Sequence, residues 1–181
     1  MKITEFSKRY SGFEVALPNI NSEKRIVVLN GENGSGKSTV LKAIISMISY
    51  IGRIDCEGTK SYMQEMIVFP NDNTVLEIIS AFNRMDETSK ETVIKLIDQF
   101  DLTKKIHEKI STLSKGMKMK LQLLCTFLID RDVYILDEPF SGLDHASVKK
   151  LVRYIEQSHK RFIIASHIPV DWNVECDVIN L

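Results

Sequence analysis

The chain has 181 residues, and its 24 Lys and Arg balance its 24 Asp and Glu, so the formal net charge is zero. The length suits one domain, 44% hydrophobic residues can fill its core, and the charge balance argues against an overall electrostatic pull toward nucleic acid or an anionic membrane. No stretch approaches the roughly 20 apolar residues of a membrane span, the N-terminus has polar residues where a signal peptide would be apolar, and the scattered Cys56, Cys125 and Cys176 fit neither a disulfide framework nor a metal cage, which predicts reduced thiols in a cytosolic protein. In chain order, "RIVVLN" (25–30) reads as a buried strand, and a helix follows the glycines after it. "IGRIDCEGTKSYM" (51–63) has two glycines between short β-like runs and predicts a small hairpin.

From residue 71 the period becomes helical. Thr74 with Glu77 and Thr88 with Glu91 are candidate capping boxes. Val75, Ile79 and Phe82 would line one helix face, and Val93, Ile97 and Phe100 the next. "LQLLCTFLI" (121–129) is apolar almost all round and predicts a buried helix. "DVYILD" (132–137) and "RFIIAS" (161–166) read as strands, with an amphipathic helix between them on Val148, Leu151, Val152 and Ile155, and "DVINL" as a last short strand. The order predicts an α/β fold, a mostly parallel sheet flanked by helices, as a single domain over 1–181 with residues 71–115 inserted as a helical subdomain.

Two stretches carry chemistry. "GENGSGKS" (31–38) fits G-x-x-x-x-G-K-[ST] between a strand and a helix. Glycines let backbone N–H groups turn toward phosphate oxygens with no Cβ in the way. The helix start adds partial positive charge. Lys37 would reach the β- and γ-phosphates, and Ser38 would offer its hydroxyl to Mg²⁺. "VYILDEP" (133–139) ends a buried strand in two carboxylates, at the sheet edge where open α/β folds bind ligands. Asp137 would hold Mg²⁺. Glu138, pointing the other way along the strand, would act as general base toward water.

With these motifs in place, the chain resembles the nucleotide-binding subunit of an ABC transporter, a P-loop NTPase, over nearly its whole length. "LSKGMKMKL" (113–121) resembles the signature motif, "SGLD" (141–144) the loop after the second carboxylate, and "IIASH" (163–167) the switch-histidine strand. "SYMQE" (61–65) resembles the glutamine loop, and "KRYSGFEVAL" (8–17) the segment whose aromatic stacks on adenine. The resemblance implies ATP and Mg²⁺ as ligands. It implies phosphate contacts from Gly31, Asn33, Gly34, Ser35, Gly36, Lys37, Ser38 and Thr39, and Mg²⁺ contacts from Ser38, Gln64 and Asp137. It also implies that Ser114 and Gly116 bind the γ-phosphate of ATP held by a second copy or a related subunit in a head-to-tail dimer, that Asp144 crosses that interface, and that His167 meets the γ-phosphate and orients water. Tyr10 would stack on adenine, with Phe6 and Phe13 nearby.

Some positions depart from the family pattern. Lys115 replaces a small residue and Met117 a glutamine in the signature, a variant associated with exporters of peptides and antibiotics. Met63 stands where proline is common. The short path from the P-loop helix to Gln64 implies a trimmed antiparallel β-subdomain, and the short stretch after His167 a minimal domain. The expected activity is ATP hydrolysis that drives a separate transmembrane permease, at the inner face of the cell membrane, with no nucleic-acid partner. A non-transport ABC ATPase of repair, translation or cluster assembly, an ATP-dependent switch module, and a small-molecule kinase are the rival readings. The permease is expected to dock on residues 64–84, chiefly through Met66 and Phe69, while Phe82 serves the core.

Overall fold

The structure is a computed structural model that describes residues 1–65 and 67–181. It divides into two compact units, Met1–Gln64 with Arg131–Glu138 and Ser158–Leu181, and Glu65–Asp130 with Pro139–Gln157.

The first unit holds two sheets. The antiparallel sheet centres on β1 (Lys2–Tyr10), with β2 (Phe13–Ala16) and β3 (Ile20–Asn21) along one edge and β5 (Ile51–Asp55) along the other. The parallel sheet takes β4 (Ile26–Asn30), β6 (Lys60–Met63), β7 (Val133–Asp137), β8 (Arg161–Ser166) and β9 (Cys176–Asn180) in the order β6-β7-β8-β4-β9. "IVVL" and "VYILD" are buried at every position, as expected of strands covered on both faces. Helix α1 (Lys37–Ile44) lies between the sheets. Its Val40, Leu41, Ala43 and Ile44 join Ile3, Phe6 and Val15 of one sheet and Leu29, Ile135 and Ile163 of the other in one core.

The expected hairpin over 51–63 does not form. Its two runs go to different sheets: β5 pairs antiparallel with β1, and β6 runs parallel to β7. Asp132 accounts for the crossover. Its Oδ2 accepts from the Thr59 N–H at 2.8 Å and from the Thr59 hydroxyl at 2.7 Å, which pins the start of β6 beside the start of β7. Gly58 sits at φ 98 there, and a Cβ on it would lie 2.7 Å from the Asp132 Cβ.

The second unit is helical, with α2 (Val75–Asp86), α3 (Lys90–Gln99), α4 (Lys115–Leu128) and α5 (His145–Gln157). Thr74 and Glu77 form the expected capping box. The second cap falls one residue later than expected. Ser89 accepts from the Thr92 N–H, because the Thr88 hydroxyl is taken by the Leu128 carbonyl at the end of α4, at 2.6 Å. On α3 the fully buried position is Leu96, while Val93 and Ile97 are half-buried. Every residue from Leu121 to Leu128 is buried, as the almost wholly apolar run predicts. Phe100, Phe127 and Tyr154 gather the ends of α3, α4 and α5 with ring centroids 4.7–6.1 Å apart. None of the three cysteines is in a disulfide, and Cys125 is buried.

Candidate nucleotide site

The loop between β4 and α1 is built to leave donors open. Helix α1 starts at Gly36, φ 101, with no side-chain cap, so its first N–H groups keep the anion-binding character of a bare helix start. Gly34 is also left-handed, φ 88, and a Cβ there would meet nothing within 4 Å. At Gly36 a Cβ would stand 2.6 Å from Val15, so only glycine lets the loop close on β2. The Ser35 hydroxyl is buried without a hydrogen-bond partner. An exposed, glycine-shaped cradle holding an orphaned hydroxyl fits a phosphate group.

Lys37 is buried, 5% exposed, and its ammonium turns back into this loop. It donates to the Gly31 carbonyl at 2.7 Å and to the Glu32 carbonyl at 3.0 Å. It also stands 3.2 Å from Glu138 Oε1, an ion pair that lacks hydrogen-bond alignment.

Glu138 does not continue the strand as the sequence suggests. β7 stops at Asp137, and Glu138 turns to φ 50, a left-handed conformation that costs a non-glycine residue about 1–3 kcal/mol. Its N–H still reaches the Ala165 carbonyl of β8 at 2.9 Å. Its Oε2 lies 2.7 Å from His167 Nδ1 and accepts from the His167 backbone N–H at 3.3 Å. It is the turn, and not strand alternation, that sends Asp137 and Glu138 to different partners. Asp137 is 2% exposed, and its Oδ2 accepts from the Tyr62 hydroxyl at 3.2 Å. Burial first, then the charge and hydrogen bond of Asp137, push the Tyr62 phenol well above its usual pKa. Tyr62 escaped the sequence reading, although it lies two residues before Gln64 in "SYMQE". Gln64 is exposed just past β6.

Tyr10 closes the other end of the loop. Its hydroxyl is 3.3 Å from the Thr39 hydroxyl, and its ring stacks on Phe13 at 4.8 Å. Phe13 is 53% exposed, whereas Phe6 is a core residue at 1%.

In the helical unit Ser114 caps α4 by accepting from the Met117 N–H at 3.2 Å. A Cβ at Gly116 would lie 2.6 Å from the Gly142 carbonyl, so the signature loop and the "SGLD" loop touch backbone to backbone. Asp144 Oδ1 accepts from the Ser147 N–H at 2.8 Å and caps α5. That hydrogen bond holds its carboxyl below the usual range.

The expected docking residue Phe69 is 6% exposed and meets Phe82 edge-on at 6.5 Å, so it belongs to the core of this unit. Met66 lies outside the described residues. Val68 is the residue that projects, 87% exposed, beside a cavity of about 320 Å³ lined by Ile67, Phe69, Lys115, Lys118 and Met119 among others. Among the described residues no helix is long and apolar enough to cross a membrane.

The profile of the family described as ABC transporter matches residues 19–141. The chain belongs to the ABC transporter ATP-binding family. It is 32% identical over 178 residues to an uncharacterized ABC transporter ATP-binding protein of Methanocaldococcus jannaschii, covering 92% of this chain and 68% of that one. It is 30% identical over 173 residues to the ABC-type transporter ATP-binding protein EcsA of Bacillus subtilis, covering 84% and 70%. A solved structure described as an ABC transporter ATP-binding protein from Pyrococcus furiosus superposes with a TM-score of 0.84 at 24% identity, over 99% of this chain and 96% of that one. The fold is that of the ABC ATPases, a P-loop NTPase fold with a parallel and an antiparallel sheet.

Proposed function

We propose that this ABC family member binds and hydrolyses ATP and, as a head-to-tail dimer, drives a separate transmembrane permease in the export direction. The observation that carries the catalytic part is the placing of Glu138 between Lys37 and His167 at the foot of the glycine loop. The loop N–H groups from Gly31 to Thr39, with Asn33, Gly34, Ser35 and Gly36, hold the phosphates, and Lys37 neutralises them. Ser38, Gln64 and Asp137 would hold Mg²⁺ through oxygen, a donor set that suits a hard cation. The bound ion supplies charge neutralisation on the transferring phosphoryl group. Glu138 takes the proton of the attacking water, and His167 holds Glu138 through Nδ1, leaving Nε2 to accept from the water in the neutral ring or to donate to a phosphate oxygen when both ring nitrogens carry protons. Tyr10, paired with Phe13, offers a stacking surface to adenine. Ser114 and Gly116 of one copy meet the phosphates held by the other, and Asp144 lies along that interface.

The transport part rests on the family and on relatives named as transporter ATP-binding proteins. The export direction rests on "SKGM" alone. The deciding measurement is phosphate release from MgATP by the purified chain. Turnover that disappears in Glu138→Gln, with ATP binding kept, is expected. Binding without any turnover, alone or with its membrane partner, would leave an ATP-dependent switch as the function. A membrane protein of several spans that co-purifies with the chain is the expected partner.

A further inference from the structure

We infer that Tyr62 is a positioning residue for Asp137: its phenolic hydroxyl, 3.2 Å from Oδ2, sets the orientation in which that carboxylate meets a divalent cation. The inference rests on the metal role proposed for Asp137.

The contact follows from strand register. β6 and β7 run parallel, with Tyr62 opposite Ile135 and Met63 opposite Leu136. Side chains on a strand alternate, so Asp137 shares the face of Ile135 and hence of Tyr62. Asp137 lies two residues farther along, a rise of roughly 6.6 Å, which a tyrosine side chain spans and a serine or threonine does not. The Tyr62 ring is packed against the core cluster that contains Ile135, Val133 and Leu41, so its hydroxyl is held at the tip of a fixed ring.

Such a donor matters because Asp137 is buried, so protein groups rather than bulk water set the orientation of its carboxylate. A carboxylate ligand that is itself hydrogen-bonded meets its metal in one plane, and partners of this kind set metal affinity. Tyr62 has a second consequence. Its strand runs on to Gln64, another residue assigned to the ion. One hydroxyl therefore ties the strand that leads to Gln64 to the carboxylate at the end of the neighbouring strand. Phenylalanine at 62 would cover the same core surface and donate nothing.

The experiment uses the full chain as wild type, Tyr62→Phe, Asp137→Asn and the double variant. ATP affinity is measured by calorimetry in Mg²⁺ and in EDTA, and the paramagnetic resonance spectrum of Mn²⁺ is recorded with ATP bound. Tyr62→Phe is expected to leave the EDTA affinity unchanged, to weaken Mg²⁺ affinity in the complex by roughly 10–100-fold, and to alter the Mn²⁺ spectrum. Excess Mg²⁺ should restore binding. In the Asp137→Asn background Tyr62→Phe should add nothing, since its effect passes through the carboxylate. Loss of Mg²⁺ affinity in Asp137→Asn with none in Tyr62→Phe overturns the Tyr62 role and leaves the metal assignment standing. Unchanged Mg²⁺ affinity in Asp137→Asn overturns both. Equal losses in Mg²⁺ and in EDTA mark a merely structural tyrosine and also overturn it.

Discussion

The ammonium of Lys37 and the carboxylate of Glu138 lie 3.2 Å apart, with both side chains almost fully buried. In this geometry the proposed phosphate ligand and the proposed base neutralise each other. In the proposed function, a bound phosphate would draw Lys37 away from Glu138 and from the Gly31 and Glu32 carbonyls before the carboxylate serves water, so that filling of the loop would release the base.

Lys37→Ala is expected to abolish ATP binding or weaken it severely, because Lys37 is the lysine of the G-x-x-x-x-G-K-[ST] loop, proposed to neutralise the phosphates. It should also lower stability, by up to about 3–5 kcal/mol, since it leaves the buried Glu138 charge with His167 in place of the lysine. Urea unfolding checks the second effect. Glu138→Gln in the same chain should recover part of the lost stability without recovering binding. A Lys37→Ala protein as stable as wild type would show that the pair contributes nothing to folding.

Glu138→Gln should keep ATP affinity and lower hydrolysis by roughly 10²–10⁴, the usual worth of a general base. It should also accumulate an ATP-dependent dimer, visible by light scattering. Wild-type turnover in this variant would assign the base elsewhere.

Gly116→Ala places a methyl group 2.6 Å from the Gly142 carbonyl. Overpacking against backbone should cost about 1–3 kcal/mol. Hydrolysis should fall further than thermal stability implies, because the start of α4 and the "SGLD" loop must shift together. A melting temperature and turnover matching wild type would show that the contact yields freely.

Phe69→Ala should destabilise the chain by about 3–5 kcal/mol, the cost of emptying a buried aromatic site. Val68→Ser, at an 87% exposed position, should stay within about 0.5 kcal/mol of wild type. If a partner docks on this face, Val68→Ser is the change that weakens co-purification. Thermal melts of the two variants check the contrast directly.

The centre of the parallel sheet was legible in the sequence because β4, β7 and β8 carry short, mostly apolar runs that are buried on both faces. The P-loop was legible because its glycines are demanded by φ and by close approach, as Gly36 against Val15 illustrates. What was not legible depended on distant partners. The run 51–63 looks like a hairpin locally, and distant partners divide it between two sheets, β1 taking β5 and β7 taking β6, with Thr59 fastened to Asp132. Thr88 and Ser89 are equally good caps on paper, until the Leu128 carbonyl claims one of them. Phe69 and Val68 are both large and apolar, and packing against Phe82 decides which turns inward. Glu138 reads as a strand residue, yet its left-handed backbone sets its contacts. Tyr62 required the register of β6 against β7, which no local pattern encodes.

The strand that leads into the glycine loop has late neighbours. β4 spans residues 26–30, but the strands on either side of it are β8, at 161–166, and β9, at 176–180. During synthesis, "IVVL" leaves the ribosome more than a hundred residues before either hydrogen-bonding partner exists. Pairing of such high sequence separation is slow, and an unpaired apolar strand is exposed to association in the meantime. The nascent chain therefore carries the strand that leads into the glycine loop without its sheet partners until residues 161–180 have been made. Slowed elongation over residues 140–180 should lengthen that interval and lower soluble yield, even though the finished protein would be identical.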